Sequence, residues 1–384
     1  MKDALTGTHT ADSAIKVAGA QSTSPSSANT PKASGRQRFI LLDTLRGYAA
    51  LVIMFYHFSA FTPHFAGYMA VDFFLILSGF VLTHAYFSND KLNLWSFIQA
   101  RFARLYPLHL VTLLAIVGLT MVMGQWFDKS DFLLHFFMIH NIGLGPDTIE
   151  FNSPSWSIAV EFWVNVVIAT GLVTFAHKLT HRPLRWAILL GIAFVCFAVI
   201  AASKGHLNVV EQNILGYVNL GLLRGFASFC IGVVIYEVYA RVAPTLTDQH
   251  KSLIALLTPP AILVFALSLF YPHKETAFDF LLVPLFSVVV FLAAFETGLG
   301  VNRLKRFAYL GAISFAVYLV HVPVQRFFEI VLNGAGGLAT YVFLSTVVTL
   351  AIASLTHHLF ELPMNKLVKK WLRWGGNLLK RRRA

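Results

Sequence analysis

Apolar stretches of about 18 to 25 residues recur along the chain from Phe39 to Phe360, and that is the length a helix needs to cross roughly 30 Å of hydrocarbon. With 57% hydrophobic residues, 12% charged residues, 35 Phe and a mean hydropathy of +0.66, the chain is too apolar for one soluble core. It is also too evenly apolar for a single anchored domain. The implied fold class is an all-α polytopic integral membrane protein whose solvent is the lipid bilayer. Cys196 and Cys230 both fall inside apolar runs, so they are small buried hydrophobes rather than a disulfide or a metal pair. No metal site is expected.

Spans are predicted near residues 40–61, 66–87, 105–124, 156–176, 186–203, 215–240, 252–271, 277–296, 308–329 and 338–361. The formal charge of +12 does not point to nucleic acid. Its basic residues stand in short clusters between apolar runs: Arg36 and Arg38, Lys91 to Arg104, Lys178 to Arg185, Arg241 and Lys251, Arg303 to Arg306, and Lys380 to Arg383. That is the positive-inside pattern, and ten spans place every cluster on the cytoplasmic side, with both termini, in a multi-pass cytoplasmic (inner) membrane protein. The segment Asp131 to Leu144, which carries His135 and His140 and leads through Gly145 and Pro146, would break that pattern as an eleventh span. It is expected to be short, re-entrant or interfacial, lining a cavity rather than facing lipid. Three regions follow: a disordered cytoplasmic tail over 1–36, rich in Ser, Thr, Ala and Lys and without a signal-peptide core; a membrane domain over 37–365; and a basic cytoplasmic tail over 366–384. No internal repeat supports an inverted-repeat transporter.

Ionisable groups at membrane depth cost a few kcal/mol each unless paired or facing water, so they mark function by default. Arg46 and His57 lie eleven positions apart on the first span, which returns to within about 20° of one helix face, roughly 16 Å along the axis. The guanidinium suits a phosphate or carboxylate, and the imidazole suits a proton from a hydroxyl. The alternative is a snorkelling Arg and a His bonded between helices. Asp72 opens the second span in VDFFLILSGF and pairs with a cation or with the first span's His, as site residue or as the counter-ion that keeps Arg46 tolerable. Arg101 and Arg104 in RFARLYP share a helix face and form either a phosphate clamp or a plain positive-inside pair. Glu161, four residues after Ser157 in SPSWSIAVEFW, orients an imidazole, accepts a sugar hydroxyl, or pairs with Arg224. Ser314, Tyr318 and His321 form a polar stripe on the ninth span, as site or as interhelical glue. Glu361 and His358 are expected to be interfacial anchors.

Together these residues resemble the acyltransferase family 3 membrane proteins, which include O-acetylases of surface polysaccharides and peptidoglycan. The resemblance runs from about Leu42 to Pro363. It is carried by LDTLRGYAALVIMFYHF, with Arg46, ten residues and His57 in the family's arrangement, and by GYMAVDFFLILSGFVL, RFARLYPLH, WSIAVEFW, RGFASFCIGVVIYE, LGAISFAVYLVHVPV and HHLFELPM. Two departures stand out: ARFAR where adjacent basic residues are common, and Phe315 after the serine of LGAIS.

The resemblance implies an acyl-CoA donor, usually acetyl-CoA, used from the cytoplasmic side as a substrate with no permanently bound cofactor, and a saccharide or glycolipid acceptor. By that carry-over Arg46, Arg101 and Arg104 grip the donor. His57 is the general base or acyl-handling residue, with Asp72 or Glu161 orienting its ring, and a covalent acyl-His intermediate is the variant. Many relatives append a soluble hydrolase-like domain after the last span. This sequence ends soon after Pro363, so direct transfer within the membrane domain is expected in preference to lending the group to a separate partner. The rival classes are an ion-coupled transporter or flippase, which would move a solute without consuming a thioester, and a non-catalytic membrane partner that keeps the fold.

Overall fold

A computed structural model describes residues 38–58, 65–88, 92–145, 151–175, 181–210, 212–271, 275–332 and 335–371. The expected tail over 1–36, Pro146, Lys91, Lys178 and the cluster Lys380 to Arg383 lie outside the described residues. The elements are α1 (Ile40–His57), α2 (Ala70–Leu82, preceded by a 3-10 turn and continued by a π turn over Thr83–Phe87), α3 (Leu94–Val122), α4 (Lys129–Phe136), α5 (Ser155–Thr174) and α6 (Arg182–Ser203). A hairpin of two-residue strands, β1 (Asn213–Ile214) with β2 (Val218–Asn219), then leads into α7 (Leu220–Val242), α8 (Asp248–Phe270), α9 (Asp279–Ala293), the single turn α10 (Val301–Leu304), α11 (Ala308–Leu332) and α12 (Gly337–Thr356).

Short polar side chains start some of the helices. Asn93 accepts from the Ser96 amide at 2.8 Å, Asn219 from the Leu222 amide at 3.2 Å, and Asp128 from the Ser130 amide at 2.6 Å, each satisfying an orphan donor of the first turn. Four helices carry internal prolines: α3 (Pro107), α8 (Pro259 and Pro260), α9 (Pro284) and α11 (Pro323). Inside a packed bundle neighbouring helices make these tolerable.

Nine helices among the described residues are long and apolar enough to cross a bilayer, and α9 is a shorter apolar helix of 15 residues. The pairing of helices decides the crossings. Helices α1 and α2 are antiparallel, since Phe39 packs on Phe80 and Tyr56 on Tyr68. Helices α2 and α7 are parallel: Asp72 meets Arg224 at one end and Phe80 meets Tyr236 further along. Helices α5 and α7 are parallel as well, with Trp156 against Gly221 and Val160 against Gly225. So α2 and α5 run the same way, and only one of the two helices between them crosses. The 29-residue α3 does; the eight-residue α4 does not, as expected for an interfacial segment. Likewise α1 and α11 are parallel, Arg46 meeting Gly311 and His57 meeting His321. Both α8 and α9 must therefore cross, although 15 residues rise only about 22 Å. The result is an all-α polytopic bundle of ten crossings among the described residues. Parity puts Arg38, Arg101, Arg104, Arg182, Arg185, Arg241, Lys251, Arg303 and Arg306 on one face, called here the basic face.

Burial sorts the helices into centre and rim. The apolar window of Ala66–Phe87 is 83% buried, against 22% for α6 and α8 and 17% for α12. The outward apolar side chains of these rim helices, among them Phe194, Leu256 and Phe343, are exposed and face lipid. Two differences from the sequence reading concern length. Helix α3 begins at Leu94, so Arg101 and Arg104 sit two to three turns inside it rather than at its mouth. The last helix runs on through a π turn at His357–Glu361 to Trp371.

The central helices approach closely where side chains are missing. A Cβ on Gly311 would lie 1.9 Å from the Asp43 carbonyl oxygen, and one on Gly232 would lie 2.0 Å from the Ile76 carbonyl oxygen. Small residues at such crossings let backbones touch, which is how helices gain packing energy in lipid. Gly311→Ala is expected to push α1 from α11 at a cost of about 1–3 kcal/mol, read as a lower thermal midpoint in detergent. Gly118→Ala, where nothing lies within 4 Å, serves as the unaffected comparison.

Candidate active site

Two cavities lie end to end along α1. The first, of about 460 Å³, opens toward the basic face and is lined by Arg38, Asp43, Arg46, Arg101, Arg104 and Glu161, with Ser78, Ser157, Ser314, Phe315 and Tyr318. Four arginines thus face two carboxylates. Arg38 Nε donates to Asp43 at 2.8 Å, and Arg101 Nη2 donates to Glu161 Oε1 at 2.5 Å. Arg46 Nη2 donates to the Gly311 carbonyl at 2.6 Å and lies 3.6 Å from the shared Asp43. Arg104 has no carboxylate within ion-pair distance among the described residues; its guanidinium stands 5.9 Å from the Phe315 ring centroid. The lining therefore carries two positive charges in excess, in a setting where an anion with bidentate oxygens is the natural counter-charge. The π turn over Thr83–Phe87 forms part of the wall through Ala85 and Tyr86.

The second cavity, of about 310 Å³, is lined by His57, Tyr56, Tyr68, Ser153, Trp156, Asn208, Gln212 and Arg224 among others. His57 ends α1, with Nδ1 3.0 Å from the Ile53 carbonyl oxygen. Nδ1 is then the protonated nitrogen, which makes Nε2 the basic one. Its ring lies 4.9 Å, centroid to centroid, from that of the fully buried His321, whose Nδ1 is likewise 3.0 Å from the Val317 carbonyl. Val71 and Tyr318 line both cavities.

The buried carboxylates are partnered differently from the sequence-level options. Asp72 is bound by Arg224, through Nε at 3.0 and 3.2 Å and Nη2 at 2.5 Å, and by Ser228 Oγ at 2.8 Å. It is the counter-ion of Arg224, not of Arg46 or His57. Glu161 accepts from Arg101 and, at 2.7 Å, from Ser78, not from Arg224. A backbone carbonyl of its own helix helps to orient His57, and neither Asp72 nor Glu161 does. All six proposed site residues do converge on these two cavities or their walls: Arg46, Arg101, Arg104 and Glu161 on the first, His57 on the second, and Asp72 behind Arg224.

Sequence reasoning had no signal for Asn208 and Gln212, which lie in the connection before the hairpin. His135 and His140 stack on each other at 4.0 Å and on His109 at 5.6 Å from His140. They form a buried cluster of their own rather than the lining of either cavity. Burial, with His135 and His109 alongside, holds the His140 imidazole well below its usual range. Cys196 and Cys230 are buried free thiols.

A protein family described as "Acyltransferase domain" matches residues 39–358. The chain belongs to acyltransferase family 3. Within this family it is similar to "Protein 2 in picA locus" of Rhizobium radiobacter, 36% identical over 158 residues, covering 35% of this chain and 82% of that protein. It is 29% identical over 311 residues to "Acyltransferase MdmB" of Streptomyces mycarofaciens, covering 75% of this chain and 76% of the relative. It is 22% identical over 349 residues to "Peptidoglycan O-acetyltransferase OatA" of Listeria monocytogenes, covering 85% of this chain but 55% of that protein. No solved structure matches the chain. The family and the helical bundle together make it a membrane acyltransferase.

Proposed function

We propose that this acyltransferase moves an acyl group, acetyl in the first instance, from acyl-CoA in the arginine-lined cavity to a saccharide or glycolipid hydroxyl in the cavity of His57. One observation carries the reading: along a single helix, Arg46 faces the cavity with excess positive charge, His57 faces its neighbour, and the two cavities meet at Val71 and Tyr318. The positive-inside rule turns the basic face to the cytoplasm, where acyl-CoA is available, and both described ends of the bundle lie on that face. The eleven-residue rise from Arg46 to His57, about 16 Å, suits an extended pantetheine arm with its phosphates at the arginines. The tyrosines, amides and indole of the second cavity offer hydrogen bonds and an apolar face to a sugar. The name of the Listeria relative, a peptidoglycan O-acetyltransferase, agrees with such an acceptor.

In this mechanism the acceptor oxygen attacks the thioester carbonyl carbon while His57 Nε2 takes its proton. The C–S bond then breaks and the proton passes to the leaving thiolate. Glu161 acts at one remove by holding Arg101 over the donor, and Asp72 by fixing Arg224 in the wall of the acceptor cavity.

The test is transfer from radiolabelled acetyl-CoA by purified protein supplied with membrane glycolipids. Arg104→Gln removes the arginine that has no carboxylate partner among the described residues and is expected to raise KM for acetyl-CoA roughly 10- to 100-fold, the worth of a charge-assisted hydrogen bond or two, with little change in kcat. Label that stays on coenzyme A in the parent under every condition, with flux of an unmodified solute, would replace this reading with a transporter.

A further inference from the structure

The two cavities share a wall, and its polar element is one phenol. Tyr318 on α11 lines both spaces, as does Val71 on α2. Tyr318 is 5% exposed, its ring packs 5.8 Å from that of Phe74, and its hydroxyl lies 2.7 Å from Ser157 Oγ on α5. Ser157 Oγ also lies 3.2 Å from the Pro154 carbonyl oxygen. A carbonyl only accepts, so both contacts are satisfied together when the serine proton goes there and Tyr318 donates to Ser157. The phenol is thereby pinned across the passage by a helix that also carries Glu161, the partner of Arg101.

We propose that Tyr318 is the gate between donor and acceptor cavities, latched shut by its hydrogen bond to Ser157, so that the thioester reaches His57 only when this side chain swings aside. The inference rests on the acyl-CoA reading above. The wall has a chemical purpose. With the gate shut, a thioester waiting in the donor cavity, which opens to the basic face, is kept from His57 and from the water that this base would activate, and keeping activated water from the acyl group is what prevents its wasteful hydrolysis. With the wall removed, water enters in place of the acceptor. Its oxygen bonds to the carbonyl carbon, the C–S bond breaks, and the proton it gives to His57 goes on to the sulfur, leaving acetic acid and free coenzyme A thiol.

The experiment is thiol release from acetyl-CoA by full-length protein in lipid nanodiscs with no saccharide acceptor present, alongside acetyl-CoA binding to the same samples. Tyr318→Ala is expected to raise acceptor-independent hydrolysis at least about tenfold, and Tyr318→Ala with His57→Gln to lose that gain. Tyr318→Phe and Ser157→Ala, which undo the latch while keeping the ring, are expected to raise hydrolysis by smaller and similar factors, and they decide the matter if the alanine variant does not fold. A residue that merely packs the core would lower transfer and hydrolysis together. Variants that bind acetyl-CoA like the parent and hydrolyse it no faster would overturn the gate. Failure of the parent itself to bind acetyl-CoA would instead overturn the donor assignment.

Discussion

His57→Ala is expected to lower acyl transfer by about 10²- to 10⁴-fold, the usual contribution of a positioned general base, while acetyl-CoA binding stays near that of the parent. The second half of this expectation comes from placement. His57 lines the cavity beyond Tyr318, whereas Arg46, Arg101 and Arg104 line the one before it, so removing the imidazole leaves the anion site whole. His57→Gln is the stricter companion, because a glutamine keeps polarity and volume but cannot take the proton. Transfer by either variant at the parent's rate would remove His57 from the chemistry, and His321, 4.9 Å away, would be the next residue to test.

Arg224→Met is expected to be the most destabilising single substitution in the bundle. Arg224 and Asp72 are both fully buried and directly paired, and stripping one partner from a buried pair leaves an uncompensated charge at a cost of about 3–5 kcal/mol. Arg224 Nη2 also donates to the Tyr68 carbonyl at 2.9 Å, tying α7 to the turn that opens α2. The expected result is a large fall in thermal midpoint and in monodisperse yield from detergent. Arg224→Met combined with Asp72→Leu is expected to recover much of the loss, because replacing both charges by apolar groups removes the penalty rather than exposing it. A double variant as unstable as the single one would mean that shape, not charge, makes the pair necessary. A stable double variant also separates folding from function, since it asks whether the acceptor cavity needs the guanidinium once the bundle no longer does.

Much of the architecture was legible in the sequence because lipid admits few solutions. Helical runs of spanning length and basic clusters in alternating connections already force ten crossings and one that stops short. The parallel pairing of α1 with α11 and of α2 with α7 demands the same count. Even α9, too short to qualify by length, was expected as a span over 277–296 because it lies in an apolar run, and the ten spans that include it satisfy the charge pattern. The candidate site was legible in part. Arg46 and His57 announce themselves by lying on one face of one helix, and Arg101, Arg104 and Glu161 by being ionisable in apolar surroundings. The two ends of a site built along a single helix are local information.

What the sequence could not carry is which helix stands beside which. An isolated Asp72, Glu161 or Arg224 is equally ready for any opposite charge, and several pairings satisfy the same composition. Only the close crossing of α2 and α7 at Gly79 and Gly232 brings Asp72 to Arg224, which leaves Glu161 to Arg101. The same is true of His321 and Tyr318. On α11 they are one polar stripe that could be site or interhelical glue, and the crossing of α1 and α11 at Gly47 and Gly311 sets one beside His57 while the other closes the space between two cavities. The sequence by itself determined a ten-crossing helical bundle, its basic face and an arginine and a histidine about three turns apart, because helix period and the cost of burying charge act along the chain. The ion-pair partners, the division into two cavities and the wall at Tyr318 were decided by tertiary structure alone, because they depend on contacts between helices distant in sequence.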